Sequence, residues 1–302
     1  MDSVHTCKLF EKSLTKNFKS GDCVTARVRT KCGRFSKNTL NRITKIFYYG
    51  GYIMLFLYFS GTGNSKYISE LFCKKTSCNL YSIEDNVDFD NLINQHETIG
   101  FCYPIYGSRM PRIMREFITK HKKTVRGKKV IIFCTQWLFS GDGARSFVDV
   151  FPKNYFDVIY AEHFFMPNNI CNFSPLPVTN GNKNDKYLRK ANRKMNKVCK
   201  DIKNGVVFRR GFNPISRLLG SVQGGSVPLL EKRCRSSVKI RGNCNRCGKC
   251  IKVCPMKNLR NVNDKMKQKS NCTFCYRCVN SCPQKSITAF LHGKVKRQYK
   301  GL

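Results

Sequence analysis

The chain has 302 residues, 41% of them hydrophobic, so it can form a sizeable core and is long enough for two domains. Its formal net charge of +38 is spread along the sequence, which indicates a solvated basic surface or docking to an acidic protein partner. No recognition motif accompanies the lysines, so nucleic-acid binding is disfavoured. We find no secretory signal and no apolar segment of bilayer length, and we therefore expect a cytoplasmic, reduced protein that does not bind membranes.

Residues 1–53 are basic and show no sustained helical or strand period. Two interpretations stay open. The segment is a disordered basic leader, or the start at Met1 is too early and the protein begins at Met54. The second interpretation rests on adjacent glycine codons for Gly50 and Gly51, which can read as a ribosome-binding sequence. The intact mass of the native protein would distinguish the two.

The first predicted strand, "MLFLYF" (54–59), leads into the loop "SGTGNS" and then into a helix with Ile68, Leu71 and Phe72 on one face. The glycines allow close approach of a phosphate, the hydroxyls can donate to it, and the helix N-terminus adds partial positive charge. Asn64 or Ser65 is predicted to cap the helix.

This loop is neither a Walker A motif nor a G-x-G-x-x-G fingerprint. It suits a terminal phosphate monoester such as that of FMN, and an ordinary strand-to-helix turn is the alternative. The residues expected to bind the phosphate are Ser60, Gly61, Thr62, Gly63, Asn64 and Ser65.

Strand and helix patterns then alternate. Strands are predicted within 97–107, 128–144 and 155–169, and helices within 109–121 and 182–205, the last ending at Gly205. Repeated strand–loop–helix units predict an α/β fold, a doubly wound parallel sheet that binds its ligand beyond the carboxyl ends of the strands.

Two further loops, 103–109 and 135–143, should therefore converge with the phosphate loop. A single aromatic residue is usually a core residue, but several on converging loops favour a pocket for a planar ring. The candidates to flank that ring are Tyr103, Tyr106, Trp137 and Phe139. The residues of these loops expected to contact FMN are Tyr103, Pro104, Tyr106, Gly107, Thr135, Gln136, Trp137, Gly141, Asp142 and Gly143.

Residues 205–240 are rich in glycine and include Pro214 and Pro228, which indicates a connector laid over the first domain. "PISRLLG" is predicted to form a short helix within it.

Two runs, "CNRCGKCIKVCP" and "CTFCYRCVNSCP", both read C-x₂-C-x₂-C-x₃-C-P. In this run three cysteines bind one [4Fe–4S] cluster and the fourth binds the other. We predict one cluster on Cys244, Cys247, Cys250 and Cys282, and a second on Cys272, Cys275, Cys278 and Cys254. A structural zinc site is the alternative, but zinc takes four ligands as two separated pairs.

The segment from residue 236 to the end has 16 basic residues against the single acid Asp264. A positive surround favours the reduced cluster, so we expect raised cluster potentials. The other cysteines follow no ligand spacing and are interpreted as core or surface thiols: Cys7, Cys23, Cys32, Cys73, Cys78, Cys102, Cys134, Cys171, Cys199 and Cys234.

With these motifs in place, residues 54–170 resemble a flavodoxin, whose phosphate loop matches "SGTGNS" and whose ring-side loops match "YPIYG" and "TQWLFSGDGA". Together with the cysteine runs, the chain resembles the flavodoxin–ferredoxin fusion family of anaerobic bacteria, also called EFR-type ferrodoxins. The resemblance implies FMN, two [4Fe–4S] clusters and electron transfer. It places Tyr106 and Trp137 near the ring and makes Asp142 a residue that orients the backbone.

We therefore expect a flavodoxin-like domain at 54–204, a connector at 205–240, a small α+β ferredoxin domain at 241–290 and a basic tail at 291–302. The leading hypothesis is an electron carrier with redox protein partners. A ferredoxin-fed FMN oxidoreductase acting on a small substrate is the second, with His163 as a weak acid–base candidate. A nucleic-acid-binding protein with structural clusters is the third.

Overall fold

The computed structural model describes residues 54–302 except residues 139, 174, 177, 226 and 291. The expectations for residues 1–53 and for Phe139 therefore lie outside the described residues.

A six-stranded parallel sheet, in the order β2-β1-β3-β4-β5-β6, forms the centre of the first domain. Its strands are β1 (Leu55–Tyr58), β2 (Asn79–Ser82), β3 (Thr98–Pro104), β4 (Lys129–Gln136), β5 (Asp157–Phe165) and β6 (Phe208–Arg209). The central strands β1, β3 and β4 are largely apolar on both faces, as expected for a sheet covered by helices on both sides. Strand order reverses between β1 and β3, and ligands of such sheets bind at this switch point.

Helices cover both faces. They are α1 (Asn64–Thr76), α2 (Phe89–Asn94), α3 (Arg112–Lys120), α4 (Lys122–Val125), α5 (Arg145–Val148) and α6 (Asp185–Lys203), the last preceded by a 3₁₀ turn at Gly181–Asn184. Phe72 of α1 and Met195 of α6 share one core with Phe56 and Phe133. Helices α2 to α5 form the other core with the opposite faces of β1, β3 and β4. The predicted doubly wound α/β architecture is confirmed.

The connector is more regular than expected. After β6 it forms α7 (Pro214–Gly224) and α8 (Val227–Cys234). Asn213 caps α7, since its side-chain oxygen accepts the backbone N–H of Ser216 at 2.7 Å. The short helix expected at "PISRLLG" is thus present and runs on to Gly224.

The cysteine-rich domain contains β7 (Lys239–Ile240), α9 (Lys249–Lys252), β8 (Leu259–Val262), β9 (Lys265–Gln268), α10 (Arg277–Ser281) and β10 (Ile287–Thr288). β7 pairs antiparallel with β10, and β8 with β9. These elements enclose a third core that includes Leu259, Val279 and Ile287.

The basic tail packs against the domains instead of extending from them. Val295 and Tyr299 are buried, and the Tyr299 hydroxyl donates to Asn64 Oδ1 at 2.6 Å. The tail therefore reaches back to the start of α1.

Two cysteines differ from the expectation of free thiols. Cys73, near the end of α1, is disulfide-bonded to Cys78, and their Cα atoms are 4.7 Å apart. The Cα separation suits a disulfide because α1 ends at Thr76 and Ser77 takes a left-handed conformation, which turns the chain back.

In the part of the chain that the structure describes, no helix is long and apolar enough to cross a membrane.

Candidate functional site

The phosphate loop turns from β1 into α1 at Gly63, whose φ of 107° suits glycine. Ser60 Oγ accepts the Gly63 N–H at 3.1 Å, which closes the turn. The predicted side-chain cap on α1 is wrong, because Ser65 Oγ lies 2.7 Å from Thr135 Oγ1 and α1 has no side-chain cap. The first-turn amides of α1 consequently keep their capacity to bind an anion.

Side chains of the same loop form hydrogen bonds with the segment that follows β5. Asn64 Nδ2 donates to the Pro167 carbonyl at 2.8 Å, and Asn169 Nδ2 donates to Thr62 Oγ1 at 3.0 Å. The segment after β5 therefore forms a second wall of the phosphate site.

A cavity of about 510 Å³ opens beside this loop, at the carboxyl ends of β1, β3 and β4. That volume suits a cofactor-sized ligand. The predicted residues that line it are Ser60, Gly61, Thr62, Asn64, Ser65, Pro104, Tyr106, Gly107, Thr135, Gln136 and Trp137. The three predicted loops do converge, and Tyr106 and Trp137 are the predicted aromatic residues on the cavity wall.

Tyr103 lies in the core and not on the cavity wall, which corrects the expectation that it flanks the ring. It is fully buried, and its hydroxyl donates to the Gly143 carbonyl at 3.1 Å. Tyr103 shares strand parity with Phe101, which faces the same core. Its ring therefore supports the third loop from behind.

Gly141, Asp142 and Gly143 are not among the described residues that line the cavity, although they were predicted to be. Gly141 and Asp142 pack against the connector instead, and a Cβ at Gly141 would lie 2.5 Å from the Gly220 nitrogen, whereas Gly143 packs against Ile105. The Asp142 carboxylate is 3.7 Å from Arg109, and burial raises its pKa. The Asp142 carboxylate also packs against α7, since a Cβ at Gly220 would overlap it.

His163, the acid–base candidate, also lies outside the described cavity lining. It is buried, and its Nε2 accepts the Ala144 N–H at 3.2 Å. Burial, with contributions from Arg210 and Lys194, lowers its pKa to about 3. A neutral histidine with this contact has a structural role.

Three polar side-chain atoms on the cavity wall are buried and have no hydrogen-bond partner: Tyr106 Oη, Arg112 Nε and Thr273 Oγ1. Buried polar groups normally have partners, so such a cluster indicates that a ligand supplies them. The uncapped α1 terminus is at one end of the same cavity. The chain's residues therefore fit FMN, with a phosphate at α1 and a ring with several acceptor atoms beside these donors.

The eight predicted cluster ligands separate into two groups of four around two small cavities. One cavity is lined by Cys244, Cys247, Cys250 and Cys282, and we call it the outer cluster site. The other is lined by Cys254, Cys272, Cys275 and Cys278, and we call it the inner cluster site. This is the crosswise grouping that the sequence predicts, and each donor set fits one [4Fe–4S] cluster.

Within the described residues, no group of three or more His, Cys, Asp or Glu side chains is close enough to hold a single metal ion. Burial raises the pKa of Cys250 to about 11 and that of Cys275 to about 12. Iron bound in these sites would hold the thiols deprotonated.

The cavity beside the phosphate loop and the inner cluster site share a wall. Thr273 and Tyr276, both from the second cysteine run, line both cavities. The outer cluster site has neither residue in its lining. The inner site is therefore the one next to the phosphate loop and its cavity.

Arg277 fixes this arrangement. Its guanidinium donates to the Ser60 carbonyl at 2.7 Å and the Gly61 carbonyl at 3.1 Å, and it pairs with Glu84 at 2.6 Å. Gly61 is crowded from the same side, since a Cβ there would lie 2.5 Å from the Cys275 carbonyl oxygen. The cysteine-rich domain thus rests directly on the phosphate loop.

Comparison with protein-family models divides the chain into the same two domains. The model for a flavodoxin domain matches residues 55–203, and the model for a 4Fe-4S dicluster domain matches residues 243–287. The chain is therefore a flavodoxin domain joined to an iron–sulfur ferredoxin domain. It has the architecture of the flavodoxin–ferredoxin fusion family, and the resemblance predicted from its motifs is confirmed.

Several solved structures are similar to the first domain. A putative flavoprotein from Bacteroides eggerthii is 20% identical, covers 37% of this chain and 87% of its own, and has a TM-score of 0.32. A flavodoxin from the domain Archaea is 15% identical, covers 50% and 98%, and has a TM-score of 0.33. General stress protein 14 from Treponema denticola, in complex with FMN, is 11% identical, covers 51% and 99%, and has a TM-score of 0.38. No curated protein matches the chain.

Sequence reasoning missed the cavity residues that come from outside the three loops. These include Arg112 at the start of α3, the ferredoxin residues Thr273, Phe274 and Tyr276, and Phe290. The second cysteine run gave a signal for the cluster but none for the residues between its ligands. Their place in the cavity follows only from how the two domains pack.

Proposed function

We propose that the chain is an iron–sulfur flavoprotein that carries electrons between two [4Fe–4S] clusters and FMN. The observation that carries the proposal is the shared wall, in which Thr273 and Tyr276 line both the FMN cavity and the inner cluster site. Bound FMN would supply two-electron capacity, and the clusters one-electron steps.

The chain's own residues hold and insulate these groups. The α1 terminus, Ser60 and Thr62 would bind the phosphate, and Tyr106 and Trp137 would contact the ring. The two groups of four cysteines would hold the clusters. Arg277 keeps the inner site against the phosphate loop through its contacts with Ser60 and Gly61.

A carrier is favoured over an enzyme with a small substrate, because His163 is buried outside the described cavity lining and bonded to the Ala144 N–H. We further propose that the protein works in the cytoplasm with redox proteins, and that an acidic partner docks near the outer site. The net charge of +38 supports that choice.

Anaerobic purification with iron, labile sulfide and flavin measured per chain tests the cofactor content. We expect about eight iron atoms, an equal amount of sulfide and one FMN. Material without labile sulfide would overturn the proposal, and material with iron but no flavin would leave only its ferredoxin half.

Single-ligand variants test the two-cluster assignment. Cys250→Ser should lose the outer cluster and Cys278→Ser the inner one, so that each retains about half of the iron. Only Cys278→Ser should block reduction of FMN through the clusters, because only the inner site adjoins the cavity. Cys199→Ser, a free thiol on α6, is the matched control. Loss of all iron in both variants would contradict two independent sites.

A further inference from the structure

Arg112 differs from the other cavity residues because its guanidinium is buried and only some of its N–H groups donate hydrogen bonds. Its side chain is 7% exposed. One terminal nitrogen donates to Glu116 at 3.0 Å, and the other donates to the Asn271 carbonyl at 2.8 Å and side chain at 2.6 Å. Nε has no hydrogen-bond partner, and a carboxylate oxygen of Glu231 lies 3.9 Å from it.

Thr273 provides a second donor on the same cavity wall. It is 3% exposed and its hydroxyl has no partner. Arg112 begins α3 and Thr273 belongs to the ferredoxin domain, so the two enter the cavity from different domains. An N–H and an O–H left unpaired in this way would bind a ligand edge that carries acceptor atoms.

The charges around Arg112 decide what that edge should be. Glu116 is 53% exposed, so solvent screens its pairing with Arg112. Glu231 also lines the cavity, but Arg112 shares it with Arg115, which makes the shorter contact at 2.7 Å. A buried guanidinium with one screened and one shared partner favours a ligand that gains negative charge.

We propose that Arg112 and Thr273 hold the pyrimidine edge of the FMN ring, and that Arg112 stabilises the reduced flavin over the oxidised one. Two electrons would come singly from reduced [4Fe–4S] clusters, each cluster being oxidised by one electron. Bound FMN would gain these two electrons and one proton from water, a net gain of one negative charge, and Arg112 would offset that charge. This inference rests on the proposed function and adds a direction to it, since a raised flavin potential favours flow from the clusters to FMN.

The test compares Arg112→Gln, which keeps a donor but removes the charge, with the wild-type protein carrying its clusters. We would measure the FMN dissociation constant anaerobically in the oxidised and reduced states, and the FMN midpoint potential by spectroelectrochemistry. Binding of reduced FMN should weaken at least tenfold more than binding of oxidised FMN. For a two-electron couple that ratio corresponds to a potential lowered by about 30 mV.

Controls separate charge from packing. Lys120→Gln removes an exposed charge from the same helix and is not part of the described cavity lining, so it should leave the potential unchanged. Asn271→Ala removes the docking contact but not the charge, and it should leave the ratio of the two constants unchanged. Arg112→Lys should restore part of the potential, and Thr273→Val should weaken FMN binding in both states.

Equal weakening of both states in Arg112→Gln, or an unchanged potential, would overturn the inference and leave electron transfer between clusters and FMN untouched. Wild-type protein that binds no FMN in either state would instead overturn the proposed function. The two failures are therefore distinguishable.

Discussion

Arg277 joins the cysteine-rich domain to the phosphate loop. Its guanidinium reaches two loop carbonyls and the Glu84 carboxylate, and Arg277 and Glu84 are only 23% and 27% exposed. Hydrogen bonds to charged groups contribute about 1.5–3 kcal/mol each, and truncation also leaves the loop carbonyls unpaired.

Arg277→Met should keep both clusters and FMN but slow electron transfer between them, because the inner site is no longer held against the loop. Rapid-mixing kinetics would follow flavin reduction after the clusters are reduced. We expect a rate at least tenfold lower, together with a loss of about 3 kcal/mol in stability. Arg260→Met, an exposed arginine on β8, is the control. An unchanged rate would show that Arg277 does not position the inner site.

His163 gives the protein a predictable response to acid. Its folded-state pKa, about 3, is below the ordinary value of 6.5, so the unfolded chain binds more protons between these values. Stability should therefore fall as pH drops below 6.5, by at most about 1.4 kcal/mol per pH unit from this group. His163→Gln should flatten that dependence. Thermal melts between pH 5.5 and 7.5 would measure it, and parallel curves for variant and wild type would contradict the assignment.

At the scale of elements, β1 and β3 pack so closely that one glycine is required. Gly100 on β3 faces the ring of Phe56, and a Cβ there would lie 1.9 Å from that ring. Phe56 cannot retreat easily, since its ring centroid is 4.9 Å from that of Phe72 and 5.3 Å from that of Phe133.

Gly100→Ala should therefore destabilise the flavodoxin domain by about 1–3 kcal/mol through overpacking. Chemical denaturation followed by far-ultraviolet circular dichroism would measure the change. Gly242→Ala is the matched control, because nothing lies within 4 Å of a Cβ at that position. Equal effects of the two substitutions would contradict the packing argument.

The same elements show what the sequence could and could not predict. The alternation of strands and helices, the phosphate loop and both cysteine runs were evident from local patterns. The position of Tyr103 in the core could not be predicted. A parallel strand buried on both faces is apolar at every position, so polarity does not show which face a given side chain occupies. The absence of a cap from Asn64 has a similar cause: its side chain bonds to Pro167 and Tyr299, both distant in sequence.

At the scale of the whole molecule, the outer cluster site is the more accessible of the two. Cys247 is the only exposed cysteine among the eight predicted ligands, and Arg246, Lys249 and Lys252 beside it are exposed. Asp264, the single acid from residue 236 to residue 302, accepts a hydrogen bond from Arg246 through its backbone carbonyl. We expect this face to meet an acidic redox partner.

Reversing charge there, with Lys249→Glu and Lys252→Glu together, should lower the potential of the outer cluster and slow its exchange with an anionic probe such as hexacyanoferrate. Raising the salt concentration should shrink the difference from wild type, because exposed charges are screened beyond about 10 Å at 0.1 M. Protein-film voltammetry gives the potential, and stopped-flow gives the rate. Lys74→Glu with Lys75→Glu, on α1, is the control. The same slowing in both double variants would indicate a general effect of net charge.

The fit between Gly61 and the Cys275 carbonyl also bears on how such a fusion can diverge or be engineered. A flavodoxin with any larger residue at this position could not accept this ferredoxin, even if both halves folded perfectly alone. Transplanting either domain into another fusion would therefore require transferring the loop glycine and the segment around Cys275 together. Close packing at this contact thus holds the two domains together in addition to the peptide chain that links them.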